Sequence, residues 1–149
     1  MILLLLLGDL IHQSLDAIVS PANSDLSHRN GIAREIARAA GDVLAKESQD
    51  FILRNRKLGI AQVMHTSAGN LRPRIKYVIH IFRPTRPDAK DDDWLFWLIK
   101  SAIFNCLQYA NEKLKIHSIA IPAFRSGKLL QFLNCRHLLF MYFLFPCNE

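Results

Sequence analysis

Hydrophobic positions along this chain of 149 residues alternate between short apolar runs and longer segments with a helical repeat. The short runs end at Gly, Pro, Asn, Asp or Arg residues, which is typical of buried strands. Strands are predicted at residues 2–7, 17–20, 61–66, 77–82 and 118–122. Between the second and third of these, Ile32, Ile36 and Ala40 recur at every fourth position and predict a helix over residues 32–40 with one apolar face.

Two further helices are predicted from the same kind of pattern. Apolar residues within 43–52 indicate a helix that begins after Gly41, and a longer helix is predicted over residues 93–113. Strands that alternate with helices favour an α/β fold, with a mostly parallel sheet between helices. Because such sheets bind ligands beyond the carboxyl ends of their strands, we expect a site in the loops of residues 21–31 and 123–127.

Composition and charge narrow the class of protein. Half of the residues are hydrophobic and 21% are charged, which excludes an intrinsically disordered chain. The formal net charge of +6 favours anionic partners. Between Arg54 and Lys90, nine basic residues and one acid, Asp88, leave a net charge of +8. This stretch is either a solvated surface or an electrostatic guide for a polyanion, and through it we expect weak nucleic-acid binding.

The sequence favours neither a disulfide framework nor a bound metal. Its three cysteines, Cys106, Cys135 and Cys147, are odd in number and have no C-x-x-C spacing. The apolar runs at residues 2–7 and 138–145 are shorter than the roughly 20 residues that a membrane-spanning helix needs. No basic segment precedes the first run, as a signal peptide requires. We therefore expect a nuclear or cytoplasmic protein without cofactor, metal or membrane contact.

Several short motifs follow one another in a fixed order along the chain. Gly8-Asp9-Leu10 follows the first predicted strand, and the D-A-I-V-S-P-A-N of residues 16–23 forms the second strand and its end. The later motifs are Gly31-Ile32-Ala33, the A-A-G of residues 39–41, the K-Y-V-I-H of residues 76–80, and the S-I-A-I-P-A of residues 118–123 with the following Ser126-Gly127. Over about residues 5–127, this series resembles the macro domain family of ADP-ribose-binding modules, in the style of those attached to poly(ADP-ribose) polymerases. The resemblance implies a three-layer α/β/α macro domain with a mixed, mostly parallel sheet, formed by residues 1–127.

The resemblance also implies a set of ligand-binding residues. They are Asp9, Leu10, Asn23, Gly31, Ile32, Phe124, Ser126 and Gly127. In the family, the residue matching Asp9 accepts a hydrogen bond from the adenine amine, and the residue matching Asn23 holds the distal ribose. The helix that begins at Gly31 offers free backbone N–H groups to the diphosphate, which Ser126 and Gly127 approach from the other side. Phe124 packs either on the ribose or in the core.

Three departures from the family pattern bear on activity. Ser20 and Pro21 replace the first Asn and Ala of the family's N-A-A-N, and residues 28–30 replace glycines before the helix. Either the side chains of residues 28–30 crowd a backbone that must come close to the phosphate, or Arg29 adds a charged hydrogen-bond donor to the phosphate. The macro domains that hydrolyse protein-linked ADP-ribose carry an Asp where this chain has Ala33, or Arg34 under a shifted alignment. Neither residue can act as a carboxylate base, so we expect binding without a catalytic residue.

The resemblance stops after Gly127. Residues 128–149 are rich in Phe and Leu, have no clear period, and are predicted to be a divergent apolar tail. Translated intron sequence explains such a tail, and the fold would then be incomplete at its C-terminus. The leading hypothesis is a reader of ADP-ribose, free or attached to proteins. The alternatives are an ADP-ribosyl-protein hydrolase that uses Asn23 to position water, a basic RNA- or polyanion-binding domain, and an inactive truncated isoform. A Rossmann dehydrogenase is disfavoured, because no G-x-G-x-x-G follows a strand.

Overall fold

Six strands and three α-helices form the part of the chain that the computed structural model describes, residues 2–123 and 138–145. The strands are β1 (Ile2–Gly8), β2 (Leu15–Ala22), β3 (Val63–Ser67), β4 (Ile75–Phe82), β5 (Ser118–Pro122) and β6 (Leu138–Leu144). The helices are α1 (Gly31–Ala40), α2 (Asp42–Asn55) and α3 (Asp92–Gln108). Short 3₁₀ turns lie at Leu10–His12, Gly69–Leu71 and Arg86–Asp88, and a π-helical turn, Tyr109–Lys113, follows α3.

The strands form one mixed sheet in the order β1-β6-β5-β2-β4-β3. The central strands β5, β2 and β4 are parallel, and the remaining neighbours pair antiparallel. Parallel neighbours need a crossover connection. Here α1 and α2 lie between β2 and β4 in the chain, and α3 lies between β4 and β5. Four of the six described strands run in one direction, and the predicted α/β fold with a mixed sheet is confirmed.

Helices cover both faces of this sheet. Successive residues of a strand point to opposite faces, so Ile18 packs with Ile36 of α1 on one face, whereas Val19 packs with Ala102 and Cys106 of α3 on the other. Burial raises the pKa of the Cys106 thiol to about 12, which makes it a core side chain and not a nucleophile. The three-layer α/β/α arrangement is therefore confirmed. No helix within residues 2–123 and 138–145 combines the length and the hydropathy needed to cross a bilayer.

Strand β6 lies in the tail, for which the sequence predicted no element. It pairs antiparallel with β1 and with β5, so it is an interior strand of the sheet. Interior strands of a covered sheet are near-continuous apolar runs without the alternation that marks half-exposed strands. Residues 138–145 are such a continuous apolar run. Because the run has no alternation, its pattern did not predict a strand. The predicted domain boundary between residues 127 and 128 lies outside the described residues.

Candidate ligand-binding site

A cavity of about 240 Å³ opens beyond the carboxyl ends of β2 and β4. Its lining comes from residues 21–23 at the end of β2, from residues 28–33 around the start of α1, and from Arg83 and Thr85 after β4. Open α/β sheets bind their ligands at this place, where parallel neighbours leave a crevice. The loop of residues 21–31, in which we expected a site, supplies most of the described lining.

The cavity brings together part of the predicted set of ligand-binding residues. Asn23, Gly31 and Ile32 line it, whereas Asp9 and Leu10 do not. Leu10 is buried in the core cluster against which Ile32 packs, so the 3₁₀ turn after β1 is adjacent to α1. The remaining predicted residues lie outside the described part of the chain: Phe124, Ser126 and Gly127.

The carboxylate of Asp9 binds residues of the 3₁₀ turn that follows it. One carboxylate oxygen accepts a hydrogen bond from the Ile11 N–H at 3.2 Å, which caps the turn Leu10–His12. The other oxygen lies 2.8 Å from Nδ1 of His12. A carboxylate offers about four lone-pair sites, so an adenine amine would share Asp9 with these partners. The role of Asp9 in adenine recognition stays a prediction.

Asn23 is held by the loop that it begins. Its Nδ2 donates to Oγ of Ser27 at 2.8 Å, and its Oδ1 accepts from the Ser27 N–H at 3.2 Å. The N–H of Leu58 donates to the carbonyl of Ser24 at 2.7 Å and fastens the loop to the segment before β3. An amide has two hydrogens and two lone pairs, so Asn23 keeps one of each for a ligand hydroxyl while its orientation is fixed.

The start of α1 presents backbone donors to the cavity. Asn30 precedes the helix in an extended conformation, and its side chain makes no capping hydrogen bond. The first N–H groups of a helix have no partner within it and attract anions. Gly31 has a φ of +58°, in the left-handed region that favours glycine. A Cβ at Gly31 would meet no atom within 4 Å, so the space in front of this helix start is open.

Two exposed arginines give the cavity a positive charge. Arg29 comes from the loop and Arg83 from the residue after β4, and no carboxylate occurs among the described lining residues. The Arg83 N–H donates to the carbonyl of Ala22 at 2.9 Å, so the backbone of Arg83 is fixed beside the end of β2. Sequence reasoning counted Arg83 only as part of a basic stretch. The signal for its role was its position directly after a strand whose neighbour carries Asn23.

The basic stretch of residues 54–90 is divided between the two ends of the sheet. Arg72, Arg74 and Lys76 lie at the start of β4, and Arg83 follows its end. A strand of this length spans about 25 Å, so these residues form no single patch. Nζ of Lys76 lies 2.7 Å from Asp16. Burial alone would raise the pKa of Asp16, but Lys76 and two backbone N–H groups, those of His117 and Ser118, lower it below its usual value.

Behind the cavity, two histidines contact each other. Nε2 of His28 lies 3.0 Å from Oγ of Ser48, and Nε2 of His80 lies 3.1 Å from Oγ1 of Thr66. The two ring centroids are 5.0 Å apart. Burial lowers the pKa of both imidazoles, that of His80 the more strongly, so both are neutral at pH 7. Sequence reasoning assigned no role to His80, which is a fully buried core residue.

The described lining of the cavity contains no carboxylate that could act as a general base. Among residues 2–123 and 138–145, no three His, Cys, Asp or Glu side chains are grouped to hold a metal ion. Ala33 lines the cavity and Arg34 does not. Of the two positions that sequence reasoning considered for a hydrolase carboxylate, the structure therefore brings Ala33 to the cavity. Its methyl group cannot accept a proton.

Comparison with known proteins identifies a matching family and related sequences. The family model described as Macro domain matches residues 19–130. An uncharacterised protein of Sulfolobus acidocaldarius is 42% identical over 120 residues, which cover 80% of this chain and 62% of that protein. Protein mono-ADP-ribosyltransferase PARP9 of Mus musculus is 33% identical over 120 residues, or 80% of this chain and 14% of that protein. The chain thus spans less than two thirds of these relatives.

Solved structures share the fold. A mutant form of the Oceanobacillus iheyensis macrodomain with ADPR matches with a TM-score of 0.71 and 28% sequence identity. The match covers 80% of this chain and 63% of that chain.

Proposed function

Because this chain belongs to the macro domain family, we propose that it binds ADP-ribose, free or attached to proteins, in the cavity between β2, β4 and α1. One observation carries the proposal. Two arginines and an uncapped helix start converge on a cavity whose described lining contains no carboxylate. Such a site suits a diphosphate, since charged donors and helix N–H groups both stabilise phosphate oxygens.

Asn23 makes the same cavity suitable for a sugar. Asn23 lines the same cavity and has a free donor and a free acceptor, which together can bind neighbouring hydroxyl groups. The distal ribose of ADP-ribose carries such hydroxyls beside the diphosphate.

Asn23→Ala is expected to weaken ADP-ribose binding about tenfold, because a ligand hydroxyl then loses its partner, at about 1–3 kcal/mol. Isothermal titration calorimetry on the intact chain measures the change. Ser27→Ala keeps the amide and the contact of its Oδ1 with the backbone N–H of residue 27, removes only the hydroxyl partner, and should therefore weaken binding less than Asn23→Ala does. Equal affinity of Asn23→Ala and the wild type would contradict the role of Asn23. A folded wild-type chain that fails to bind ADP-ribose would contradict the proposed function itself.

Binding is favoured over hydrolysis because Ala33 occupies the position considered for the carboxylate base. The purified chain should therefore leave a mono-ADP-ribosylated protein intact while binding it. The hydrolase alternative makes the opposite prediction, namely turnover that Asn23→Ala abolishes.

Salt dependence separates ADP-ribose binding from polyanion binding. Between 50 and 200 mM salt, the affinity for ADP-ribose should fall by less than about tenfold, because a diphosphate releases few counterions. A single-stranded RNA held by many phosphate contacts should lose about 10³-fold or more over the same range. Filter binding or fluorescence anisotropy measures both ligands.

The matched variants are Arg83→Ala and the pair Arg72→Ala and Arg74→Ala. Arg83 lines the cavity, whereas Arg72 and Arg74 lie at the other end of β4. ADP-ribose affinity should respond to Arg83→Ala alone. If the distant pair weakens it equally, the chain reads overall charge, and polyanion binding is the better description.

A further inference from the structure

Every fully buried polar side chain that the structure describes belongs to one cluster behind the cavity. Ser20 on β2 is paired in register with His80 on β4. Thr66 on β3 contacts His80. Ser48 on α2 contacts His28 in the loop of residues 21–31, which we call the ligand-binding loop. Core positions of a small domain are ordinarily apolar, so a polar cluster confined to this place calls for a specific explanation.

Only His28 connects the cluster with the cavity. It lines the cavity, and its ring lies between Ser48 and His80. Ser48 lies on the second turn of α2, is 2% exposed, and does not line the cavity. Through His28, a helix that never touches the ligand site is thus joined to the loop that carries Arg29 and Asn30.

The loop needs such an anchor because its backbone is strained. Leu26 and His28 have φ values of +50° and +49°, in the left-handed region. For residues other than glycine this conformation costs about 1–2 kcal/mol each, and it persists where the surroundings enforce it. The side chain of Leu26 is buried with Leu58 and Met64, and that of His28 is held by Ser48. One anchor is apolar and the other is polar.

The polar contacts around His28 do not maximise the stability of the folded state. Ser20 Oγ and the Nδ1 atoms of His28 and His80 are buried without a protein partner. Unpaired buried polar atoms destabilise the folded state, so an apolar cluster of the same volume would be more stable. A directional contact, in contrast, fixes where His28 lies, and with it the residues that follow.

We propose that the Ser48–His28 hydrogen bond positions the ligand-binding loop, so that Ser48 sets ligand affinity without contacting the ligand. The inference rests on the proposed function for its ligand, but the contact itself is a property of the chain alone. His28 is accordingly a positioning residue, which acts through Arg29, Asn30 and Gly31. If His28 instead contacted the ligand directly, His28→Ala would weaken binding clearly more than Ser48→Ala does, because Ser48→Ala keeps the imidazole.

The test is a double-mutant cycle with Ser48→Ala, His28→Ala and the double variant, measured by calorimetry with ADP-ribose. Ser48→Ala and His28→Ala should each weaken binding about five- to tenfold, and the double variant no more than His28→Ala alone. Ser48→Thr keeps the hydroxyl and should restore most of the affinity. Gln49→Ala, an exposed neighbour on the same helix, should bind as the wild type does. Since Ala is the best helix former, Ser48→Ala is expected to fold.

A second readout needs no ligand. Amide hydrogen exchange over residues 24–30 of the free chain should be faster in Ser48→Ala than in Gln49→Ala, at equal global stability. If the wild type binds no ADP-ribose, the proposed function fails and this exchange still decides the inference. Unchanged exchange together with unchanged affinity in Ser48→Ala overturns it. So does an additive double variant, which would show that Ser48 and His28 act separately.

Discussion

Gly69→Ala is expected to lower the free energy of unfolding by about 3 kcal/mol or more. Gly69 begins the 3₁₀ turn after β3 and has a φ of +52°. A Cβ there would overlap the carbonyl oxygen of Ala40, at the end of α1. Both the turn and the helix end are backbone, so no side-chain rotation relieves the overlap.

Urea denaturation of both proteins measures this effect. Gly59→Ala is the matched control, since a Cβ at Gly59 would lie 3.5 Å from Oε1 of Gln62, an ordinary contact. That variant should cost less than about 1 kcal/mol. Similar losses in the two variants would contradict the close approach of the turn to α1.

The same contact bears on the candidate site through α1. Gly69 fixes the C-terminal end of this helix, and the N-terminal end faces the cavity with Gly31 and Ile32. A helix of this length is about 15 Å long and rigid. The position of the α1 start at the cavity therefore depends in part on a backbone contact at the opposite end of the helix, outside the cavity.

Local patterns predicted most of the elements. The repeat of Ile32, Ile36 and Ala40 indicated α1, and two of these residues, Ile36 and Ala40, are fully buried. Strand β5 has the predicted bounds, because Pro and Ser end a short apolar run. A local pattern of this kind is sufficient to predict an element that buries one face in the core. Strand β6 lacks a pattern of its own and is defined by its neighbours β1 and β5.

The full set of residues at the candidate site could not be predicted from local patterns, because contacts between distant segments bring these residues together. Arg83 joins Asn23 in one cavity because β2 and β4 pair in parallel, which brings their ends together. The motif that contains Asp9 was visible, but the sequence does not show that its carboxylate already binds Ile11 and His12. The order of motifs predicted which family the chain resembles, whereas the partners of each side chain follow from the packing of distant segments.

Lowering the pH from about 7 to 5 is expected to destabilise the fold, because buried histidines resist protonation. Burial, with the charges of His28 and His65, holds the pKa of His80 well below its usual value. Below about pH 6.5 the unfolded chain binds a proton at this position, and the folded chain does not. Stability that is present above this pH is therefore lost as the pH falls through the folded pKa, by about 1.4 kcal/mol per pH unit for His80 alone. Burial also lowers the pKa of His28 and His65 and adds to the loss.

Denaturation at a series of pH values measures this slope, and two variants assign it. His80→Gln should flatten it by about 1.4 kcal/mol per pH unit, whereas His117→Gln, at an exposed position, should leave it unchanged. The lowered pKa of Asp16 adds a loss only below about pH 4, so Asp16 does not explain a slope above pH 5. An equal slope in the wild type and His80→Gln would contradict a neutral buried His80. Since His80 and His28 lie in one cluster, a slope tied to His80 places the acid-sensitive part of the fold directly behind the cavity.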